Sequence, residues 1–587
     1  MIYNLSIDKD QEEKHNKPIK ALKKFFLILA DEKKSLVTAL ITILVHSVLT
    51  LLAPLIIGYT IDHYIQNRQY QGVLFYSGIL LGIYLVSLVT SYLQTKLMGS
   101  VGQRVLFKLR NSIFIKLQEL PVAFFNENKS GDLISRINND TDKLNQFFSQ
   151  SLMQFVGSIF IMIGAGIFLL SINLELGAAA LIPALVLVVF SRVVTPWVKK
   201  LNAAYMATTG NLSAEIQESI ANFKVVVAFN RRDYFRQRFR EVNERNFKSA
   251  MKAGLANNIF IPIYGFFSNI GQLVVLAFGI YLISTGHFTI GLLISFLSYI
   301  NNFYFPLRQL AALWTSFQIS MAAWDRISKI LNLESNLVLK ADQPVNCESA
   351  AVSFRNVSFS YSSGQEVLHK VSFDLHRGKT YAFVGPTGGG KTTTASLISR
   401  LYDPTKGTVI LNGKDLRAVS PEERASRIGF ILQEPFLFTG TVRDNIVYGN
   451  ATLEKAGNDE IMTLIHDAEL GGLLDRFENG LETRVVAGGD SISLGQKQLV
   501  AFMRAVLRKP EVLILDEATA NIDTVTEQQL EILLRKLPET TTRIIIAHRL
   551  NTIENADEIF FINSSRIIQA GSMENAVQLL MEDKQNS

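Results

Sequence analysis

Six stretches of the chain, about residues 35–59, 73–95, 151–171, 174–197, 258–283 and 290–312, are apolar over lengths that suit a membrane crossing. A hydrocarbon core of about 30 Å needs about 20 apolar helical residues, so these are six expected transmembrane helices, grouped into three hairpins. The connections alternate in charge. Thr60–Gly72 carries Arg68 as its only Lys or Arg, and neither Ile172–Leu176 nor Ser284–Thr289 carries one. Lys96–Gln150, in contrast, holds Lys96, Arg104, Lys108, Arg110 and Lys116, while Lys199–Gly254 holds Lys199, Lys200, Arg231, Arg232, Arg236 and Arg238. Because cytoplasmic loops retain Lys and Arg, these two connections, both chain ends and the polar C-terminal part are expected in the cytoplasm.

Composition agrees with a fused membrane and soluble chain. Of 587 residues 48% are hydrophobic, but the excess is confined to the first part. The formal charge of +6 comes from basic residues flanking the apolar runs, where topology and inner-leaflet lipid account for it, so no nucleic-acid partner is expected. The only cysteine, Cys347, sits in linker-like sequence and excludes an intrachain disulfide. Met1–Lys34 is Lys-rich without a short apolar core and small-residue cleavage site, so no removable signal peptide is expected. Within it, Pro18–Ala30 has the amphipathic spacing of an interfacial elbow helix.

Each cytoplasmic connection keeps helical periodicity and should carry the spans well beyond the membrane. Each also has a turn-like break, at Glu119–Phe125 and at Ser219–Phe223, which reads as a docking element for the soluble part or as the tip of a solvated hairpin. Ionisable residues are nearly absent from the span interiors, against a proton relay. The last two spans are rich in amide, hydroxyl and phenol groups, among them Asn257, Asn269, Gln272, Ser295, Tyr299, Asn301, Tyr304 and Gln309. Such groups either bond helix to helix or line a wet cavity.

In the soluble part an apolar strand, Thr380–Val384, runs into Gly385-Pro386-Thr387-Gly388-Gly389-Gly390-Lys391-Thr392, and a helix-forming run from Thr393 follows. This is the strand, loop and helix context of the G-x-x-x-x-G-K-S/T phosphate loop. Its backbone N–H groups would cradle phosphate, Lys391 would reach the β- and γ-phosphates, and the Thr392 hydroxyl would coordinate Mg²⁺. Val512–Asp516 is an apolar strand ending in Asp516-Glu517, with Asp516 placed to hold Mg²⁺ through water and Glu517 to orient or deprotonate the attacking water. Arg543–Ala547 repeats the pattern and ends in His548, a candidate to bond the γ-phosphate or that water.

Ser491-Ile492-Ser493-Leu494-Gly495-Gln496 lies shortly before the Asp516-Glu517 strand and resembles the Leu-Ser-Gly-Gly-Gln signature of ATP-binding cassette (ABC) transporters. Gln433 resembles the family's Q-loop glutamine, Tyr361 its adenine-stacking aromatic, and Ala520–Asp523 its D-loop. With the six spans, the chain is similar to exporter-type half-transporters. The resemblance implies an all-α six-span transmembrane domain plus an α/β P-loop nucleotide-binding domain. The boundaries expected are 1–34 for the N-terminus, 35–325 for the membrane domain, 326–350 for a linker and 351–587 for the nucleotide domain.

By the same resemblance Glu517, His548 and Gln433 are catalytic and Thr392, Gln433 and Asp516 hold the metal. Tyr361, Gly385–Thr393, Asp516, Ser493, Gly495 and Gln496 bind nucleotide, with ATP and Mg²⁺ as cofactors. In this family the signature serves nucleotide held by a second chain, so the partner is another half-transporter, with a heterodimer favoured and a homodimer the alternative. Membrane lipid and a hydrophobic small-molecule substrate complete the expected partners, in a bacterial inner membrane. Two departures stand out. Leu494 replaces a signature glycine, and Ala487 stands where exporters often carry an acidic residue, with Asp490 as a substitute. ATP-driven export of amphipathic or hydrophobic molecules is the reading; the alternative is an ATP-gated channel or sensor that binds nucleotide without turnover.

Overall fold

The computed structural model describes residues 30–334, 339, 350–571, 574–575 and 578–579, apart from the stretches 362–363, 365, 451, 487–491, 517–523, 547–555 and 564–565. Cys347, Ala487, Asp490 and all of the expected elbow helix but Ala30 lie outside them. The described chain forms two compact units. Residues up to Leu117 and from Gly131 to Asn332 make one, and Gln118–Ser130 with Leu333 onward make the other.

The second unit is built on two main sheets. β1 (Ala350–Ser360), β2 (Glu366–His376), β4 (Lys406–Leu411) and β5 (Lys414–Asp415) form an antiparallel layer in the order β2-β1-β4-β5. β3 (Thr380–Val384), β6 (Ile428–Ile431), β9 (Val512–Asp516), β10 (Thr542–Ile546), β11 (Glu558–Asn563) and β12 (Arg566–Gln569) form the order β12-β11-β3-β10-β9-β6. A small ribbon pairs β7 (Gly440–Thr441) with β8 (Arg484–Val485). β3, β6, β9, β10 and β11 are parallel, and β9 is buried at every position. That burial explains its unbroken Val-Leu-Ile-Leu run, because a strand covered on both faces has no polar face to alternate with.

In the membrane unit six helices are long and apolar enough to cross a bilayer. α1 (Lys33–Thr60) and α2 (Tyr70–Glu119) come first, and the short α3 (Val122–Glu127) belongs to the other unit. Helical turns from Ser130 lead into α4 (Leu152–Ile172), then α5 (Leu174–Ala221), the short α6 (Phe223–Ala228), α7 (Arg232–Asn258) running into α8 (Phe260–Ser284), and α9 (Ile290–Leu331). With 50 residues, α2 is about 75 Å long at 1.5 Å per residue, more than twice the hydrocarbon thickness, so the expected extension beyond the membrane is present. The expected breaks are there too. α2 ends before Pro121, whose fixed φ and missing N–H suit a helix start, and α5 ends at Ala221.

The polar groups of α8 and α9 are mostly spent on holding helices together. Ser295 donates to the Pro54 carbonyl at 2.7 Å, Tyr299 to that of Leu51 at 2.6 Å, and Tyr304 to that of Ala180 at 3.0 Å. Gln272 donates to the Asn301 side-chain oxygen at 2.9 Å. Ser295, Tyr299 and Tyr304 are buried, which places them in helix seams and not on a cavity wall. The α1–α9 seam is closed just past the C-terminal end of α1 by Asp62, whose carboxylate accepts from the Thr289 hydroxyl at 2.5 Å and the Gly291 amide at 2.7 Å. The backbones touch there. A Cβ on Gly291 would stand 2.0 Å from the Gly58 carbonyl oxygen.

Gly291→Ala should therefore force the seam apart and destabilise the fold by about 1–3 kcal/mol, the usual cost of overpacking. Thermal denaturation in detergent should show a lowered Tm for this variant and none for Gly78→Ala on α2, where a Cβ meets nothing within 4 Å. Equal Tm values for both would contradict the seam.

Candidate functional site

The parallel pairing sets the site. Ile546 pairs with Phe383 on one side and with Asp516 on the other, so β3, β9 and β10 end level at one edge of the sheet. In open parallel sheets that edge is where ligands sit. From it leaves the loop Gly385–Gly390, in which Gly385, Gly388 and Gly390 have φ of 144°, 84° and 107°. The loop also lies hard against β11, because a Cβ on Gly385 would be 2.0 Å from the Ile562 carbonyl oxygen. Only glycine meets both demands at Gly385.

Next comes α10 (Lys391–Ile398), whose first residues aim free N–H groups into the loop. Lys391 is buried and its Nζ donates to the carbonyls of Gly385 and Pro386 at 2.9 Å each, curled over the space that the loop encloses. The Thr392 hydroxyl lies 3.4 Å from Asp516 Oδ1, and the Asp516 side chain is buried at the sheet edge. Two motifs separated by more than a hundred residues thus present two oxygens side by side, a donor set suited to a hard divalent cation such as Mg²⁺.

Gln433 is exposed two residues beyond β6, whose Ile431 pairs with Leu515, so it leaves the sheet at the same edge. Glu517 and His548 lie outside the described residues; in sequence Glu517 comes next after β9 and His548 two residues after the end of β10. Tyr361 is partly exposed, and its hydroxyl meets the Thr393 hydroxyl at 2.9 Å, fixing the ring beside α10.

The signature residues open α11 (Leu494–Val506). Ser493 caps it: its hydroxyl accepts from the Gln496 amide at 3.2 Å, and the Gln496 side chain returns a bond to the Ser493 amide at 2.9 Å. This reciprocal cap is intact despite Leu494, whose side chain points away from the core and is 40% exposed. Gly495 sits in the first turn, where its N–H is free for a ligand.

One group of residues was not legible from the sequence. The Asn126 side chain, on α3, donates to the Tyr402 hydroxyl at 2.6 Å, and the Tyr402 ring stands edge-on to Tyr361 with centroids 5.3 Å apart. Burial pushes the Tyr402 hydroxyl above its ordinary pKa, so it stays neutral. Beside it Phe124 is fully buried and Phe125 half exposed, so of the aromatic pair expected to dock, Phe124 is the anchor. On the second expected docking element, α6, Phe223 is 59% exposed. Neither Asn126 nor Tyr402 belongs to a motif, and only the packing of α3 on this unit brings them together.

Removing the Lys391 charge should weaken ATP binding about tenfold or more, since a charge-assisted contact to phosphate is lost. Equilibrium titration of Lys391→Ala with a fluorescent ATP analogue checks this, and unchanged affinity would contradict the loop's assigned role.

The chain is similar to known proteins along most of its length. Residues 36–307 match the ABC transporter transmembrane region and residues 368–520 the ABC transporter ATPase family. The ABC transporter ATP-binding protein YfiC of Bacillus subtilis, itself uncharacterised, is 32% identical over 98% of this chain and 95% of its own length. A fatty acid ABC transporter ATP-binding/permease protein of Mycobacterium bovis is 33% identical over 84% of this chain and 77% of its own. A multidrug resistance ABC transporter of Lactococcus lactis is 30% identical over 84% and 83%. The solved structure of a bacterial Atm1-family ABC exporter with ATP bound shares the fold, with a TM-score of 0.76 at 24% identity over 94% of this chain and 96% of that one. Six membrane helices and a phosphate-loop ATPase on one polypeptide, with these relatives along its length, make the chain a multi-pass membrane ATPase of the ABC transporter family.

Proposed function

We propose that the chain exports amphipathic or hydrophobic small molecules by alternating access, as one half of a dimer, with both termini in the cytoplasm of a bacterial cell. The observation that carries this reading is the bond from Asn126 of α3 to Tyr402, one ring away from Tyr361. The segment joining the second and third spans is thereby fastened to the wall of the nucleotide site, so a change at that site acts on the chain that leads into both spans. Relatives named for fatty acid and multidrug transport support an amphipathic cargo.

The division of labour follows from positions. Tyr361 would stack on adenine; Gly385, Pro386, Thr387, Gly388, Gly389, Gly390, Lys391, Thr392 and Thr393 would hold the phosphates. The Thr392 and Asp516 oxygens, with Gln433, would hold Mg²⁺, which neutralises charge on the phosphates. Glu517 would orient or deprotonate water, and His548 would bond the γ-phosphate. Ser493, Gly495 and Gln496 would close over nucleotide held by the other chain. The exposed aromatics at the two ends of α6, Phe223 and, just past its last residue, Phe229 at 74%, suit docking on that second chain. Leu494 in the signature favours a heterodimer in which the partner supplies an unaltered signature to this chain's hydrolytic groups.

Two variants test the scheme. In the complex with its partner, Glu517→Gln should keep ATP binding while lowering hydrolysis at least about 10²-fold, the contribution of a positioned general base. Survival of about half the rate would mean two competent sites and would defeat the asymmetric heterodimer. Tyr402→Phe keeps the ring but deletes the acceptor for Asn126, so stimulation of ATPase by transported amphiphiles should fall about threefold or more, the worth of one hydrogen bond. Full stimulation in that variant would remove the Asn126–Tyr402 link from the coupling path.

A further inference from the structure

The membrane unit contains a cavity of about 520 Å³ beside the cytoplasmic half of α5. Ser191, Arg192, Thr195 and Lys199 line it from one face of that helix, and Tyr264 of α8 and Leu307 of α9 border it on the other side of an open mouth. Leu187, buried, supplies an apolar floor. Counting 1.5 Å per residue from Leu174, Arg192 lies about 27 Å and Lys199 about 37 Å along α5, which brackets the far edge of a hydrocarbon layer of about 30 Å. The cavity therefore spans the boundary between acyl chains and headgroups on the Lys- and Arg-rich side.

Its chemistry is one-sided. No carboxylate is among its lining residues, and no hydrogen bond or ion pair engages Arg192 or Lys199 among the described residues. The Ser191 hydroxyl is enclosed yet has no hydrogen-bond partner among them. A buried polar group without a partner is costly, and two cations on one wall with no carboxylate beside them favour an anion there. Arg192 and Lys199 are exposed at the rim, as positive-inside topology asks of cations at this depth, and what topology does not account for is the enclosed, unpartnered Ser191 hydroxyl beside them.

We propose that this cavity binds the anionic head of a membrane amphiphile, a carboxylate or phosphate held by Arg192 and Lys199 with Ser191 as a further donor, while its acyl chain lies along Leu187 and Leu307. This rests on the export reading and gives its cargo a charge: a single-chain anionic amphiphile taken from the inner leaflet. Arg192 suits either head, because its planar fork pairs with two oxygens at once.

The test measures equilibrium binding to the purified transporter in phosphatidylcholine nanodiscs. Oleate serves as the carboxylate probe, lyso-phosphatidic acid as the phosphate probe and monoolein as the uncharged control. Arg192→Ala and Lys199→Ala should each weaken an anionic probe about tenfold, while Arg192→Lys loses less and monoolein shifts less than about twofold. A loss confined to oleate assigns a carboxylate cargo, and a loss confined to lyso-phosphatidic acid assigns a lipid headgroup; both support the site. Unchanged anion binding in variants that keep the wild-type Tm and elution volume overturns it, as does equal affinity of the wild type for oleate and monoolein. ATP-dependent transport is read separately in vesicles: its absence with anion binding intact would fail the export reading and leave the site standing.

Discussion

The approach of Thr392 to Asp516 organises everything else in the nucleotide half. It exists because β3 and β9 flank β10 in parallel and end level, so the loop leaving β3 and the carboxylate ending β9 meet at one edge. Glycine at 385 is the condition for that meeting, since any side chain there would strike the Ile562 carbonyl and lift the loop from the sheet. The order of the sheet, a strained glycine loop and a buried carboxylate are one arrangement seen three ways.

The membrane half obeys a different constraint. Lipid offers no hydrogen bonds, so every backbone group must be satisfied within a helix and polar side chains must find partners on neighbouring helices. Along the seam of α1 with α9, the Ser295 and Tyr299 hydroxyls find acceptors in the Pro54 and Leu51 carbonyls of α1. Close backbone contact at Gly58 and Gly291 and the Asp62 clasp then fix the end of this pair where α1 finishes and α9 begins. Between the halves in sequence, α3 is packed with the nucleotide unit, so the membrane chain carries a piece of the ATPase surface within it.

Much of this was legible in the sequence because its signals are local. The loop from Gly385 to Thr392, the apolar strand ending in Asp516 and the six apolar runs each carry their meaning within a few consecutive residues. The cap formed by Ser493 and Gln496 was legible for the same reason. What stayed hidden depends on side chains far apart in the chain. Asn126 and Tyr402 are 276 residues apart and neither has a motif. The amide and hydroxyl groups of α9 had two readings because residue type does not say whether a partner faces it; packing made Ser295, Tyr299 and Tyr304 seam residues. Lys199 read as topology alone, since a cavity wall exists only once α5, α8 and α9 are placed side by side.

The central claim is that ATP hydrolysed at the loop moves an amphiphile across the bilayer. Its most direct test is accumulation of a labelled amphiphile in inside-out vesicles carrying the complete transporter, measured with ATP, with a non-hydrolysable analogue and with vanadate. The account predicts accumulation against a gradient with ATP alone. Steady ATP hydrolysis without accumulation, or equal fluxes with ATP and the analogue, would contradict it.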